Sequence, residues 1–264
     1  MLIDFHTHAF PDKIAERAIT SLSHASGGLK PCTDGTVGGL KSSMKAGGVD
    51  ISVMLSIATN AHQQRSVNDF AAKANEEDGI VAFGSVYPES EDVYEELERI
   101  KDMGLLGVKL HPEYQRFYVD DEKMKPIYKK ISELGLITVF HAGADIGFPP
   151  PYHAMPKQMS KALSWFDSPV VAAHFGGAGS GEDVLSRLCG IEHLYIDTSF
   201  SYGVIPKYFA QSIIERHGTD KILFGTDTPW HSPDMEKRLI ASLSLSESER
   251  EAICSGNARR LLRI

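Results

Sequence analysis

Leu2-Ile3-Asp4-Phe5-His6-Thr7-His8 is the first regular stretch of the chain, and its reading decides the rest. The apolar start predicts a strand. Alternate side chains of a strand share a face, which sets His6 and His8 on one side and Phe5 and Thr7 on the other. Two imidazoles one pleat apart can close on a single metal ion, and Asp4, on their face, is placed to orient one of them. Taken alone, the pair has a second reading as two hydrated polar residues at a strand end.

Outward from this strand the sequence alternates. Residues 11–23 read as a helix, a glycine-rich piece follows, and a second helical stretch ends near residue 46; residues 9–48 form the longest connection. Further strands are expected at 49–57, 80–87, 105–111, 136–141, 170–174, 194–198 and 221–227, each followed by a helical pattern. Ser90 is read as the cap of the helix after the third strand, and Ser246-x-x-Glu249 as the capping box of a last helical segment. Eight strands with helices between them, and no linker or repeat, predict one (β/α)8 TIM barrel spanning 1–264. It carries an inserted helical, glycine-rich connection after the first strand and an extra C-terminal helix. A doubly wound open sheet would show the same alternation.

In such a barrel, chemistry collects where the strands end at the C-terminal face. The predicted strand ends are His6/His8, His111, His141, His174 and Asp227, so five of the 11 histidines stand there. Imidazoles and a carboxylate suit Zn²⁺ first, with Mn²⁺ or Fe²⁺ acceptable. Such an ion lowers the pKa of a bound water towards ~7 or polarises a carbonyl, and Asp227 is placed to accept a proton. Without cysteine ligands, a purely structural zinc site is disfavoured.

Composition narrows the partners. Lys+Arg 27 against Asp+Glu 35 leaves −8, which argues against nucleic acid or an anionic membrane. Cys32, Cys189 and Cys254 are too scattered for a disulfide framework, so a reducing cytoplasmic location is expected. No apolar run approaches ~18 residues and no leader-like segment precedes His6, so neither membrane insertion nor export is expected. The expected partner is a small-molecule substrate, with a homodimer left open.

The motifs together resemble a known family. Ile3-Asp-Phe-His-Thr-His8, Gly107-Val-Lys-Leu-His-Pro112, Phe140-His-Ala-Gly143, Ala173-His-Phe-Gly-Gly177, Leu194-Tyr-Ile-Asp-Thr-Ser199, Ile222-Leu-Phe-Gly-Thr-Asp-Thr-Pro229 and Gly256-Asn-Ala-Arg-Arg-Leu-Leu262 look like the amidohydrolase superfamily. The nearest branch is the amidohydrolase-2 group, which includes the aminocarboxymuconate-semialdehyde decarboxylase-like enzymes. The resemblance implies one divalent ion held by His6, His8, His141 and Asp227, with His174 as acid/base. Lys109 stands where binuclear relatives carry a carboxylated lysine, so a second ion shared with His174 is the alternative; the branch favours one ion. A histidinol-phosphatase-like reading is expected to end on Asp-x-His, where Asp227-Thr-Pro229 stands, and a TatD-like reading to place a glutamate on the fourth strand, where Lys109 and His111 stand; both are disfavoured.

Substrate is less legible. Aromatic residues and arginine in the loops suit a small flat or cyclic acid, with His111, Lys109, Arg116 and Trp230 as contacts. The expected reaction is hydrolysis of an amide, lactone or ester. Non-oxidative decarboxylation of an aromatic or enoic acid is the alternative on the same ligands, and a non-catalytic metal-dependent binding protein ranks last. Residues 9–48, helped by 142–156, are expected to cap the pocket, since long connections at the active face often form lids.

Overall fold

The apolar runs form eight short parallel strands in the computed structural model, which describes residues 1–264. They are β1 (Ile3–Thr7), β2 (Ile51–Leu55), β3 (Ile80–Phe83), β4 (Gly107–Leu110), β5 (Ile137–Phe140), β6 (Val170–Ala172), β7 (Leu194–Asp197) and β8 (Ile222–Leu223). Ladders join β1-β2-β3 and β4-β5-β6-β7-β8 in sequence order. Two seams close the ring. At the first, Gly84 N donates to Gly107 O at 2.9 Å and Lys109 N to Gly84 O at 2.8 Å. At the second, Phe5 N donates to Phe224 O at 2.7 Å, Asp227 N to His6 O at 2.8 Å and His8 N to Thr228 O at 2.6 Å. The sheet is a closed (β/α)8 barrel, and the open doubly wound alternative is ruled out. Gly84 permits the first seam: a Cβ there would lie 2.9 Å from both Asn68 Oδ1 and Ile100 Cδ1.

Helices α1 (Asp12–Ala25) and α2 (Val37–Gly47) follow β1; α3 (Ala61–Ala74) and α4 (Val93–Asp102) follow β2 and β3. After β4 come α5 (Pro112–Gln115), which the sequence reading did not anticipate, and α6 (Lys125–Glu133). Then α7 (Pro156–Leu163), α8 (Gly181–Arg187), α9 (Lys207–His217) and α10 (Pro233–Ser242) alternate with the last strands, and α11 (Glu247–Glu251) and α12 (Asn257–Leu262) close the chain. The capping box of α11 forms as read, with Ser246 accepting from Glu249 N. Ser90 does not cap α4. Asp92 occupies that position, and Ser90 Oγ donates to its carboxylate instead.

One apolar cluster lies under the helices, joining residues such as Met54, Leu110 and Phe140. A second joins Phe5, Leu55, Phe83, Val139, Val171 and Leu223, from six different strands. Residues from so many strands of a ring can meet only inside it, so this cluster forms the barrel's floor. Phe5 was expected on the face away from the histidines. The β1–β2 pairing shifts register between Asp4 and Thr7, which breaks the simple alternation. No helix is long and apolar enough to cross a membrane.

The outer shell holds a buried histidine that couples α9 to β7. His217 accepts from Gly190 N at Nδ1 (3.1 Å) and donates from Nε2 to Leu194 O (3.0 Å). Burial lowers its pKa, so the fold needs it neutral. The unfolded chain takes up that proton near pH 6.5, and the folded chain only at lower pH. The stability His217 contributes is therefore present above pH 6.5 and lost as pH falls below it. Urea midpoints at pH 7.5 and 5.5 should differ less in His217→Gln than in the parent chain; an unchanged difference would refute this assignment.

Candidate metal centre

His6 and His8 meet at the mouth of the barrel, and each ring is held by its far nitrogen. His8 Nδ1 lies 2.8 Å from Leu55 O, an acceptor only, so this nitrogen carries the proton. His6 Nδ1 donates to Asp197 Oδ2 at 2.8 Å. Both Nε2 lone pairs therefore point inward, 3.2 Å apart. Asp227 Oδ1 lies 3.1 Å from His8 Nε2 and 3.3 Å from His6 Nε2.

Burial pushes the His6 pKa down to about 3, with the Lys109 charge acting the same way. Burial opposes the Asp227 charge, but the hydrogen bond with His8 and the imidazoles around it hold the carboxyl below the usual range. Three acceptor atoms thus face one point, an arrangement that suits a bound cation. Around an ion bound at ~2.0–2.1 Å, tetrahedral ligand atoms lie about 3.3–3.4 Å apart. The spacing here fits that.

Three of the predicted residues, Asp227 (φ 69°), His174 (φ 58°) and Arg116 (φ 58°), are non-glycine residues in the left-handed region, a conformation that costs roughly 1–2 kcal/mol each; of these, Asp227 and His174 lie at the centre. Both lie just past their strands, not within them. Gly225 lets β8 run close to the centre, since a Cβ there would stand 3.0 Å from His6 Cβ. Side chains kept where glycine would be relaxed point to a role for the side chain.

Asp197 and Ser199 were missed as site residues, although both fall within a quoted motif. Asp197 Oδ1 accepts from His174 N at 3.0 Å and from Ser199 Oγ at 2.5 Å. Ser199 Oγ in turn lies 2.9 Å from His174 Nδ1 and 3.0 Å from His6 Nδ1. Burial works against the Asp197 charge, and His6 beside it holds the carboxyl below its ordinary range. The orienting role expected of Asp4 belongs to Asp197. Asp4 is tied instead to Thr226, through N at 2.9 Å and Oγ1 at 2.6 Å, and to His6 N. An orienting carboxylate of this kind is worth 10–100-fold in metal affinity. Asp197→Asn should weaken metal retention by about that factor against a competing chelator, with circular dichroism unchanged. Retention equal to the parent would contradict the role.

His141 was expected beside His6, His8 and Asp227; its ring nitrogens do not all lie within 4.8 Å of their ligand atoms. Only those three bring ligand atoms within 4.8 Å of one another; His141 groups with His111 and Asp145. Its ring stacks on His111 at 4.3 Å, and its Nδ1 lies 3.1 Å from His174 Nε2. Asp145 Oδ2 lies 3.3 Å from His111 Nε2 and 3.8 Å from His141 Nε2, which has no hydrogen-bond partner. Asp145 sits in a loop with no motif around it, so nothing in the sequence marked it. Lys109 Nζ lies 3.3 Å from His6 Nε2, and burial pulls its pKa down to about 8.

These residues floor a cavity of about 820 Å³, half of whose lining residues are hydrophobic (17 of 34). The two long connections do line it: Phe10, Ile14, Ala18 and Leu22 from one, Ala144, Asp145 and Ile146 from the other. Trp230 and His111 line it as expected. Arg116 does not. It is exposed, with a left-handed backbone (φ 58°), and faces a neighbouring cleft with Tyr87 and Phe148.

The family model described as Amidohydrolase matches residues 3–264. Among solved structures, an uncharacterised TIM-barrel protein from Bordetella bronchiseptica is similar at 22% identity and TM-score 0.79, covering 99% of this chain and 98% of its own. The 5-carboxyvanillate decarboxylase of Sphingomonas paucimobilis aligns at 16% identity and TM-score 0.75, over 100% and 99% of the two chains. A dihydroxybenzoic acid decarboxylase from a Polaromonas species, solved with manganese and the inhibitor 2-nitroresorcinol, aligns at 17% and TM-score 0.69, over 99% and 96%. No curated protein sequence matches the chain.

Proposed function

The chain belongs to the amidohydrolase family, and from that premise we propose that it is a divalent-metal-dependent carboxy-lyase acting on a small aromatic or enoic acid. The observation that carries the metal is the convergence of His6 Nε2, His8 Nε2 and Asp227 Oδ1 on one point with their far nitrogens already occupied. An ion held there would act as a Lewis acid towards the carboxylate and the charge that develops beside it. Zn²⁺ fits the donor set; the manganese of the Polaromonas structure supports Mn²⁺ as well. Decarboxylation, rather than the hydrolysis expected first from the sequence, gains support from the decarboxylases of like fold and from the cavity itself. An apolar wall disfavours a carboxylate relative to neutral CO₂.

The chain's own groups have distinct tasks. Lys109, buried beside His6, offers a donor to the substrate's carboxylate. When the C–C bond to that carboxylate breaks, the electron pair stays on the ring or enoic carbon and CO₂ departs. A proton must then reach that carbon. His174, fixed at Nδ1 by Ser199, supplies it from Nε2, with His141 as its hydrogen-bond partner. Hydrolysis of an amide, lactone or ester remains the second reading, because the Asp227 carboxylate beside the centre suits taking a proton from water. The test is a panel of hydroxybenzoates, enoic acids, lactones and amides, with CO₂ release and ring opening followed separately. Stoichiometric CO₂ from one acid, abolished by chelation, is expected; turnover of a lactone or amide without CO₂ would establish the second reading. The free cysteines Cys32, Cys189 and Cys254 are in keeping with a cytoplasmic location.

A further inference from the structure

The cavity is larger than a single-ring acid needs, and its outer part is built by two helix faces that the chemistry above does not use. Helix α1 turns Ala15 and Ile19 into the protein, while Ile14, Ala18 and Leu22, the next row at i, i+4, i+8, line the cavity. None of these three packs into either apolar core cluster, and each is half-buried. On helix α3, Gln64, Asn68 and Ala71 are buried, Val67 lines the cavity, and Phe70 lines it while also packing against the core. The α1 row extends about 12 Å along the helix axis. Beside it on α1 runs a third row, Lys13, Arg17 and Ser21, also lining the cavity. In a chain of net charge −8, these two cations in the cavity lining favour entry of an acid.

We propose that this outer channel binds an unbranched or flat apolar arm of the substrate, up to about 12 Å long, so that the substrate is an elongated amphipathic acid and not a bare benzoate. The proposal rests on the carboxy-lyase reading only for what anchors the acidic end. Occupants without an acid group would still gain from the channel, and that separates the two claims.

The experiment is calorimetric titration of the metal-loaded protein with two homologous series, n-alkyl carboxylates and the matching n-alkyl primary amides, from two to twelve carbons. Each buried methylene should strengthen binding about three- to fourfold in both series until the channel is full. Ala18→Trp and, as a second variant, Val67→Trp should flatten both series, with melting temperatures showing that each variant folds. Flat series in the parent protein, or slopes unaffected in both folded variants, would overturn the channel. The carboxylates should also bind more tightly than the amides of equal length, and lose that advantage on metal removal. Rising series without that advantage would leave the channel standing and refute the carboxylate anchor.

Discussion

His174→Asn should retain about one divalent ion per chain while turnover falls by roughly 10²–10⁴-fold, the usual scale for a general acid–base. The ring stands next to the three-acceptor centre, with ring centroids 5.2 Å from His6 and 4.8 Å from His141, yet it is not one of the three residues that converge. Asparagine is the chosen replacement because it tolerates the left-handed backbone that His174 adopts at φ 58°. A loss of rate then reports the missing proton donor and not a rebuilt turn. Elemental analysis of the variant decides the point. An emptied site would make His174 a ligand, as the binuclear reading with Lys109 requires.

Asp227→Asn should empty the centre and bring turnover to background. Asp227 supplies the only carboxylate oxygen close to both His6 Nε2 and His8 Nε2. Without its charge, two neutral imidazoles remain, and hard or borderline divalent ions bind such a pair weakly. Asparagine again suits the backbone, at φ 69°. His141→Asn is the informative companion. On the geometry here it keeps its ion and loses rate through a displaced His174, whereas the four-ligand set implied by family resemblance would lose the ion. Metal content of the two variants, measured side by side after dialysis, separates these outcomes.

Much of this was legible in the chain. Alternation of apolar runs and helical patterns gave the eight strands and the helices between them. The residues at the strand ends came with it, since a barrel gathers whatever follows its strands on one face. Closure was not legible: it depends on backbone bonds between Phe5 and Phe224 and between Gly84 and its neighbours, which no periodicity records. The short β8 was overread because the buried run continues through Phe224, Gly225 and Thr226, as a strand would, while only Ile222–Leu223 pair regularly. Orienting partners were the main loss. Asp4 looked right by spacing along one strand, but the carboxylate that reaches His6 comes from Asp197, 191 positions away. Arg116 failed for a local reason: the four-residue α5 ends in a left-handed turn that sends it outward. The same turn region brings Tyr114 against His111 at 4.5 Å and into the cavity wall.

The most direct test of the metal centre is an anomalous difference map from crystals of the protein loaded with Mn²⁺. One strong peak is expected at bonding distance from His6 Nε2, His8 Nε2 and Asp227 Oδ1. A protein that takes up no ion there, or a sole peak lying among His111, His141 and Asp145, would contradict it.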